Sequence, residues 1–349
     1  MNARLAYVDV FRGFAILAMI SWHIFNALAR SDIYSTPPLY ISVFSMPTPL
    51  PPPLPFTFVS GIGVYILTKK WLERGERSAV RKAVKRYSKY ILLSLPFTAL
   101  VFTPLTYVRW EEALQGIGLT ALVVAIILLH ARPTVRTLLV MIVSAGVIEA
   151  VLLDWIRTVP AFNLYPLAPA LQMNGSLLFA FVFNALVGGW FSVANLLPMA
   201  LGGVLMMKLL ESGKHMETLY AGIGFTLVAL LLHALGLPIS YYGRSFSFVL
   251  FSVGLPMIVL YVLYAAYARK PRLLGFTRVL GRESLLVYMG HFLFVVKPIG
   301  ATALGKSFSD VSAALLTLPL VALVYALTFA YASWKDGRAV PIEKEKMAV

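Results

Sequence analysis

The stretch VDVFRGFAILAMISWHIF, residues 8–25, is apolar enough to enter a membrane, yet it carries Asp9 and Arg12 at its start and His23 near its end. Apolar runs of about 20 residues, the length that spans a bilayer, recur along the whole chain. Of the 349 residues, 59% are hydrophobic and only 13% are charged, about half the charged share of a soluble domain. The sequence therefore predicts an all-α integral membrane protein.

Ten apolar segments are long enough to span a bilayer, and each is bounded by charge, proline or glycine. We predict a bundle of about ten transmembrane helices in a single polytopic membrane domain over 1–335, followed by a charged tail at 336–349. The predicted helices lie near 8–28, 53–68, 90–108, 113–131, 137–153, 190–210, 216–236, 247–268, 284–301 and 311–333. A further apolar run, 177–188, is short for a span and is interpreted as a re-entrant or interfacial piece.

The distribution of positive charge predicts the orientation of the chain. Its 30 basic residues outnumber the 15 acidic ones, and with ten helices and an inner N-terminus, 23 of the 30 fall in inner segments. Because cytoplasmic loops collect Lys and Arg, both termini are expected in the cytoplasm of a multi-pass cell-membrane protein. Membrane topology then accounts for the excess of positive charge, and no nucleic acid is expected as a partner. Cysteine is absent from the sequence, which excludes disulfides and a thiol nucleophile.

Helical geometry places the ionisable residues of the first segment on one face. Residues eleven apart differ by about 20° in azimuth and about 16 Å in height, so Arg12 and His23 lie along one stripe. Asp9 precedes Arg12 by one turn and lies near the same stripe. Asp9 and Arg12 could form only a local ion pair at the membrane boundary, but a histidine deep in the span is costly without a partner. We therefore expect Arg12 and His23 to line a polar cavity.

A second polar stripe lies in LGRESLLVYMGHFLFVVKP, residues 280–298. Arg282 is at its inner end, Tyr288 and His291 are near mid-depth, and Lys297 is in the outer third. Tyr288 and His291 are three residues apart and share a face of the helix. Two helices that each carry a basic group at the inner end and a histidine deeper in are expected to form facing walls of one passage.

These motifs resemble the transmembrane acyltransferase superfamily, in particular the heparan-alpha-glucosaminide N-acetyltransferase-like family and the related acyltransferase-three family. VDVFRGFAI is similar to the first of these, and the histidine at position 23 is similar to the second and to bacterial and archaeal relatives of the first. Three later motifs resemble the family in the same order. They are PFTFVSGIGVYI (55–66), EEALQGIGLTALVVAIILL (111–129) and LGRESLLVYMGH (280–291). The similarity covers most of the chain between residue 4 and residue 298.

The resemblance implies transfer of an acyl group, usually acetyl, from cytoplasmic acyl-CoA to a hydroxyl or amine at the outer face of the membrane. The acceptor is expected to be a saccharide or glycoconjugate. Arg12 and His23 are the positions carried over as essential, with His291 as a third. Because we expect no additional soluble domain, the identity of the acceptor stays open. No metal is expected, since no metal-ligand spacing is present in the sequence.

Acyl transfer requires a base or a nucleophile, together with a positive or hydrogen-donating group for the developing oxyanion. His23 is the candidate base or acyl carrier, because imidazole can act in either role near neutrality. Arg12 would orient the thioester or pyrophosphate of CoA, and Asp9 would hold Arg12 in place. The basic residues expected to attract the CoA phosphates are Lys85, Arg86, Arg278 and Arg282, although the positive-inside distribution already accounts for their charge.

A different class of function remains open at this point, a proton-coupled transporter of a small polar solute. Its relay would consist of Arg12, His23, His291 and Glu149, the other carboxylate deep in an apolar segment. Glu149 could equally be a proton acceptor for the enzyme or a partner of a basic group. The transporter predicts discontinuous helices in both halves of the chain, whereas the enzyme predicts binding of acyl-CoA and transfer of its label.

Overall fold

The structure is a computed structural model that describes residues 5–30, 53–102, 110–158, 181–239, 244–270 and 274–344. Within these ranges the regular structure is helical, with no strand and one isolated backbone bridge between Ala29 and Phe308. Seven of the described helices are long and apolar enough to cross a membrane, or eight if one bent pair is a single span. The chain is therefore a helical membrane protein. The count of ten spans and the cytoplasmic position of both termini stay predictions.

The α-helices in chain order are α1 (Ala6–Leu28), α2 (Pro53–Glu73), α3 (Ala79–Val101), α4 (Ala113–His130), α5 (Val135–Thr158), α6 (Val193–Glu211), α7 (His215–Ala234), α8 (Phe246–Arg269), α9 (Gly275–Arg282), α10 (Ser284–His291), α11 (Lys297–Gly300) and α12 (Asp310–Lys344). Two short π-helical segments are also present, Asn184–Gly188 and Phe292–Val296. The first of these lies in the run 177–188, of which residues 177–180 are outside the described residues.

Helix α9 lies in a segment for which apolar length predicts no helix, and α3 and α12 extend furthest beyond their predicted segments. The helix predicted near 90–108 begins at Ala79, because Ala83 and Tyr87 continue a buried stripe back into the basic segment. It ends at Val101, and residues 103–109 lie outside the described part of the chain. Likewise, α12 runs on to Lys344 through most of the predicted charged tail. At the start of that tail, Asp336 forms an ion pair with Arg282, next to the pair of Lys335 with Glu283.

The helix predicted over 284–301 follows a sharp break. The preceding helix α9 meets the segment Ser284–Gly300 at an angle of 75°. Within that segment α10 passes into the π-helical turns Phe292–Val296 and then into α11. Pro298 has no N–H for the carbonyl four residues earlier and its ring crowds that turn, which is a physical reason for the widened helix just before it.

The chain forms two compact units, of which unit 1 comprises residues 1–52 and 263–349. In unit 1, α1 packs along α9 and also contacts α10 and α12. The backbones of α1 and α9 touch at two glycines: a Cβ at Gly281 would lie 1.7 Å from the carbonyl oxygen of Asp9, and one at Gly13 would lie 2.0 Å from that of Thr277. Glycine is required at both positions for the helices to come this close.

Unit 2 comprises residues 53–262 and is built around α6. The apolar window of α6 is 83% buried, against 17% for α7, so α6 is a core helix and α7 is peripheral. At its start, the Ser192 hydroxyl accepts a hydrogen bond from the backbone N–H of Asn195 at 3.4 Å. The buried Glu112 caps α4 in the same way, accepting from the N–H groups of Leu114 and Gln115 at 3.0 Å each.

Candidate active site

Two histidines from different helices of unit 1 form a direct pair. Nδ1 of His23 on α1 lies 2.9 Å from Nε2 of His291 at the end of α10. The two rings are close to parallel, with an interplanar angle of 7°, and the ring of Phe292 packs against both. His291 is buried, with 1% of its surface exposed, whereas His23 is only half-buried. Of the pair, His23 is therefore the member that a ligand can reach.

The hydrogen bonds of His291 assign the tautomer of His23 when both rings are neutral. Nδ1 of His291 lies 2.9 Å from the carbonyl oxygen of Val287, which can only accept, so this Nδ1 carries the hydrogen. Nε2 of His291 is then an acceptor, and its partner, Nδ1 of His23, must be the donor. Nε2 of His23 is left with its lone pair and has no hydrogen-bond partner among the described residues. That nitrogen can act as a base or as a nucleophile.

Two further residues of the second predicted stripe, Tyr288 and Lys297, lie before and after His291 in the chain. The Tyr288 ring packs edge-on against His291, with ring centroids 6.1 Å apart, which restricts the orientation of the imidazole. Lys297 follows the π-helical turns and is exposed. Helices interrupted by π-turns are frequent at functional sites, and here the interruption begins directly after His291.

Arg12 and Asp9 occupy the other end of the stripe on α1. Nη1 of Arg12 lies 3.4 Å from Oδ1 of the buried Asp9 and donates to the carbonyl oxygen of Gly281 at 3.2 Å. Gly281 is in the last turn of α9, where a helix leaves its carbonyls without intrahelical partners. Arg12 thus caps α9 at the bend after which α10, the helix of His291, begins. A carboxylate one turn away balances its charge.

A second group of charges braces the same bend from α12. Nη1 of Arg282 lies 2.8 Å from Asp336, and its Nε lies 3.0 Å from Glu283. Glu283 also receives Lys335 at 2.9 Å. The positive charge of Arg282 is therefore matched by acids of the protein itself. Arg278, one turn earlier on the same face of α9, is exposed.

The remaining predicted site residues lie in unit 2. Glu149 is buried, and the sequence did not identify a basic partner for it. In the structure that partner is Arg244, whose Nη1 lies 3.7 Å from Oε1 of Glu149. The same guanidinium donates to the carbonyl oxygens of Val187, Gly188 and Gly189 at 2.8, 3.1 and 2.6 Å, so it closes the end of the π-helical segment. Lys85 and Arg86 are exposed on the first turns of α3.

One polar contact close to His23 was not anticipated from the sequence. Nζ of Lys306 donates to Oδ1 of Asn26 at 2.9 Å, and the backbone N–H of Lys306 donates to the carbonyl oxygen of Ala27 at 2.9 Å. The N–H of Phe308 similarly reaches the carbonyl of Leu28 at 3.1 Å, so this loop caps the end of α1. The sequence did offer one indication of this contact: Asn26 lies one turn beyond His23, on the same face of α1, so a polar residue continues the stripe.

Within the described ranges, no three His, Asp or Glu side chains converge closely enough to hold a metal ion. The comparison that bears on identity is with protein families. The family model described as "Heparan-alpha-glucosaminide N-acetyltransferase, catalytic" matches residues 4–235. The chain belongs to this family. The match confirms the resemblance to this family, which is a membrane acetyltransferase family, and covers the first three motifs but not the fourth, at 280–291.

The matched region of the N-acetyltransferase family includes all of α1, with Asp9, Arg12 and His23. It ends at residue 235, so α10 and His291 lie beyond it. A search among curated proteins finds no match. The pairing of His23 with His291 therefore rests on the geometry of unit 1.

Proposed function

We propose that the protein is a membrane acetyltransferase that moves an acyl group, usually acetyl, from acyl-CoA to a hydroxyl or amine of a saccharide or glycoconjugate. The observation that carries the proposal is the available Nε2 of His23, on a helix inside the region that matches the family. Donor binding at the cytoplasmic face and acceptor binding at the outer face of the cell membrane belong to the same proposal. The excess of basic residues in the segments predicted to lie inside supports this orientation.

The lone pair of His23 Nε2 can serve the transfer in two ways. As a base, Nε2 takes the proton from the acceptor O–H or N–H while that oxygen or nitrogen bonds to the thioester carbonyl carbon. The carbon–sulfur bond then breaks, and the CoA thiolate receives the proton. As an acyl carrier, Nε2 itself bonds to the carbonyl carbon, the carbon–sulfur bond breaks and CoA departs as the thiolate, leaving a positively charged acetyl-imidazolium. The acceptor oxygen or nitrogen then bonds to the acetyl carbon, the bond to Nε2 breaks, and the acceptor proton passes to the CoA thiolate.

His291 supports either route as a positioning residue. Positive charge develops on the ring of His23 when Nε2 gains a proton or an acyl group. The hydrogen bond from Nδ1 of His23 to Nε2 of His291 then becomes charge-assisted, and such bonds are roughly twice as strong as neutral ones. His291 therefore holds His23 in the reactive tautomer and stabilises the charged form. Its own anchor, the Val287 carbonyl, keeps Nε2 directed at His23.

The proposed donor contacts in unit 1 are Arg12, Arg278 and Arg282. Arg278 is exposed on α9 and is suited to a CoA phosphate. Arg12 and Arg282 are engaged with Asp9 and with Asp336, so their part would be to fix the bend and to present their remaining N–H groups. Lys85 and Arg86, on α3 of unit 2, are exposed as well, and their contact with the CoA phosphates stays a prediction.

The decisive experiment measures acetyl transfer by purified protein. Detergent-solubilised wild type and His23→Ala are incubated with radiolabelled acetyl-CoA and a panel of amino sugars, including glucosamine, with simple amines and lipids alongside. We expect the wild type to release CoA and label an acceptor, and His23→Ala to lose about 10²–10⁴-fold in rate, the usual contribution of a catalytic acid or base. The control is His130→Ala, which removes an exposed histidine at the end of α4 and should leave the rate unchanged.

Two results would overturn the proposal. CoA release that is unaffected by His23→Ala removes the catalytic role of this histidine. A wild-type protein that binds no acyl-CoA at all removes the enzymatic function and favours the transporter.

A further inference from the structure

The first turns of α3 carry a dense set of cations. Five of the residues between 79 and 89 are basic and all five are exposed: Arg81, Lys82, Lys85, Arg86 and Lys89. The opposite side of this segment is attached to unit 2 by the buried residues Ala79, Ala83 and Tyr87, which are four residues apart. Tyr87 lies against α4, where a Cβ at Gly118 would be 3.2 Å from the Tyr87 carbonyl oxygen. The helix therefore presents one packed side and one cationic side.

The cationic side continues directly into a side with exposed apolar residues. At 100° per residue, Leu92 lies within about 20° of both Arg81 and Lys85 around the helix axis. Leu92 is 66% exposed, and Leu95 on the neighbouring row is 50% exposed. Because the apolar half of α3 overlaps the span that the sequence predicts over 90–108, apolar side chains this exposed are expected to face the acyl chains. Arg81 and Lys85 consequently point toward the headgroups of the same lipids.

Three of these cations form a row, and none of the three has an ion pair with any described residue. Arg81, Lys85 and Lys89 follow one another at intervals of four residues, along about 12 Å of the helix. Lys82, in contrast, is paired with Glu76, and Arg86 interacts with Tyr87. The cationic row thus presents three charges that no described residue neutralises through an ion pair.

The row begins at the depth of the headgroup layer and extends beyond it. Lys89, Lys85 and Arg81 are three, seven and eleven residues from Leu92, or about 4.5, 10.5 and 16.5 Å along the axis. The headgroup region is about 5–7 Å thick on each side of the hydrocarbon core, so Lys89 lies at its depth, the long side chain of Lys85 reaches it along the helix, and Arg81 acts through the field of the anionic surface. We infer that the cationic row, Arg81, Lys85 and Lys89, binds the headgroups of anionic phospholipids.

The same charges could attract the phosphates of CoA, but the geometry favours lipid. Ala83, at the centre of the buried stripe, lies about 160° around the helix from both Arg81 and Lys85. A ligand held inside unit 2 would be on the side of Ala83, away from the row. A lipid beside Leu92 is on the same side as the row and needs no rearrangement of the helix.

The test is a titration of the purified full-length protein in detergent with phosphatidylglycerol or with phosphatidylcholine. Native mass spectrometry reports the lipid molecules retained and an apparent Kd. Each Lys or Arg near an anionic surface contributes a factor of about five in binding, so the triple variant Arg81→Gln/Lys85→Gln/Lys89→Gln should bind phosphatidylglycerol about a hundredfold more weakly. Added salt should weaken binding to the wild type by screening. The single variants Lys85→Gln and Lys89→Gln should each lose about fivefold.

The matched control is the triple variant Arg132→Gln/Arg136→Gln/Lys270→Gln, which removes the same charge from exposed positions outside α3. It should keep the affinity of the wild type for phosphatidylglycerol. The inference is overturned if the wild type does not prefer phosphatidylglycerol over phosphatidylcholine, a result that needs no variant to fold. Equal losses in the two triple variants also overturn it. The inference is also overturned if the triple variant of the row binds phosphatidylglycerol normally but no longer binds acetyl-CoA, because the row would then be a binding site for the acyl donor.

Discussion

Replacing His291 with phenylalanine tests whether this residue sets the tautomer of His23. The substitution keeps an aromatic ring beside Phe292 but removes the acceptor of the Nδ1 hydrogen of His23. A buried donor left without a partner costs about 1–3 kcal/mol, so the hydrogen should move from Nδ1 to Nε2. The reactive tautomer then becomes about 5–150-fold rarer. We expect kcat to fall by that factor, with little change in the KM for acetyl-CoA.

The assay is the initial rate of CoA release across a range of acetyl-CoA concentrations, with the acceptor in excess. His291→Gln supplies a side-chain oxygen that can accept from Nδ1 of His23, so it should retain more activity than His291→Phe. The control is Phe294→Leu, because Phe294 belongs to the same π-helical turns but is 80% exposed. It should leave kcat unchanged.

Three results would refute the reasoning on the tautomer. One is a wild-type kcat in His291→Phe. Another is a loss in His291→Gln as deep as that in His291→Phe. The last is a fall in activity that follows a fall in Tm across the whole series, since His291 would then act only through the stability of unit 1.

Two other predictions concern stability, measured as Tm in detergent. Gly281→Ala should lower Tm, by the equivalent of about 1–3 kcal/mol, because the new Cβ would lie 1.7 Å from the carbonyl oxygen of Asp9. The control is Gly275→Ala, whose Cβ would meet no atom within 4 Å, so it should leave Tm unchanged. Equal effects of the two substitutions would contradict the close contact between α1 and α9. Arg244→Met should cost about 3–5 kcal/mol, because Glu149 loses its partner in a buried site. Adding Glu149→Gln should restore part of that loss, and strictly additive effects would show that the pair is not coupled.

The helices follow from local sequence where apolar length is the deciding property. α1 and α4 coincide closely with the predicted apolar segments 8–28 and 113–131, because burying about 20 mostly apolar residues is favourable whatever the neighbours are. The bend before α10 has another origin. Glu283 and Arg282 are held by Lys335 and Asp336, about fifty residues further along the chain, and no local pattern shows which residues will meet there.

In the candidate site, too, some contacts can be predicted from the sequence and others cannot. The contact between Asp9 and Arg12 is a one-turn pair within a helix, so its spacing can be read from the sequence. The second contact of Arg12, with the Gly281 carbonyl, is to a backbone atom of another helix. Any residue supplies such an atom, so the sequence carries no mark of it. The same holds for the carbonyls of the turn that Arg244 closes.

The glycine crossing of α1 and α9 also bears on how substitutions in this protein are interpreted. Gly13 and Gly281 have no side chain that could bind or react, yet any larger residue there collides with the backbone of the other helix. In a scan of all single substitutions, these two positions should rank with His23 among the least tolerant of unit 1. Mutational sensitivity would then group residues of two unrelated kinds. Only measurements that separate the amount of folded protein from its turnover rate distinguish them.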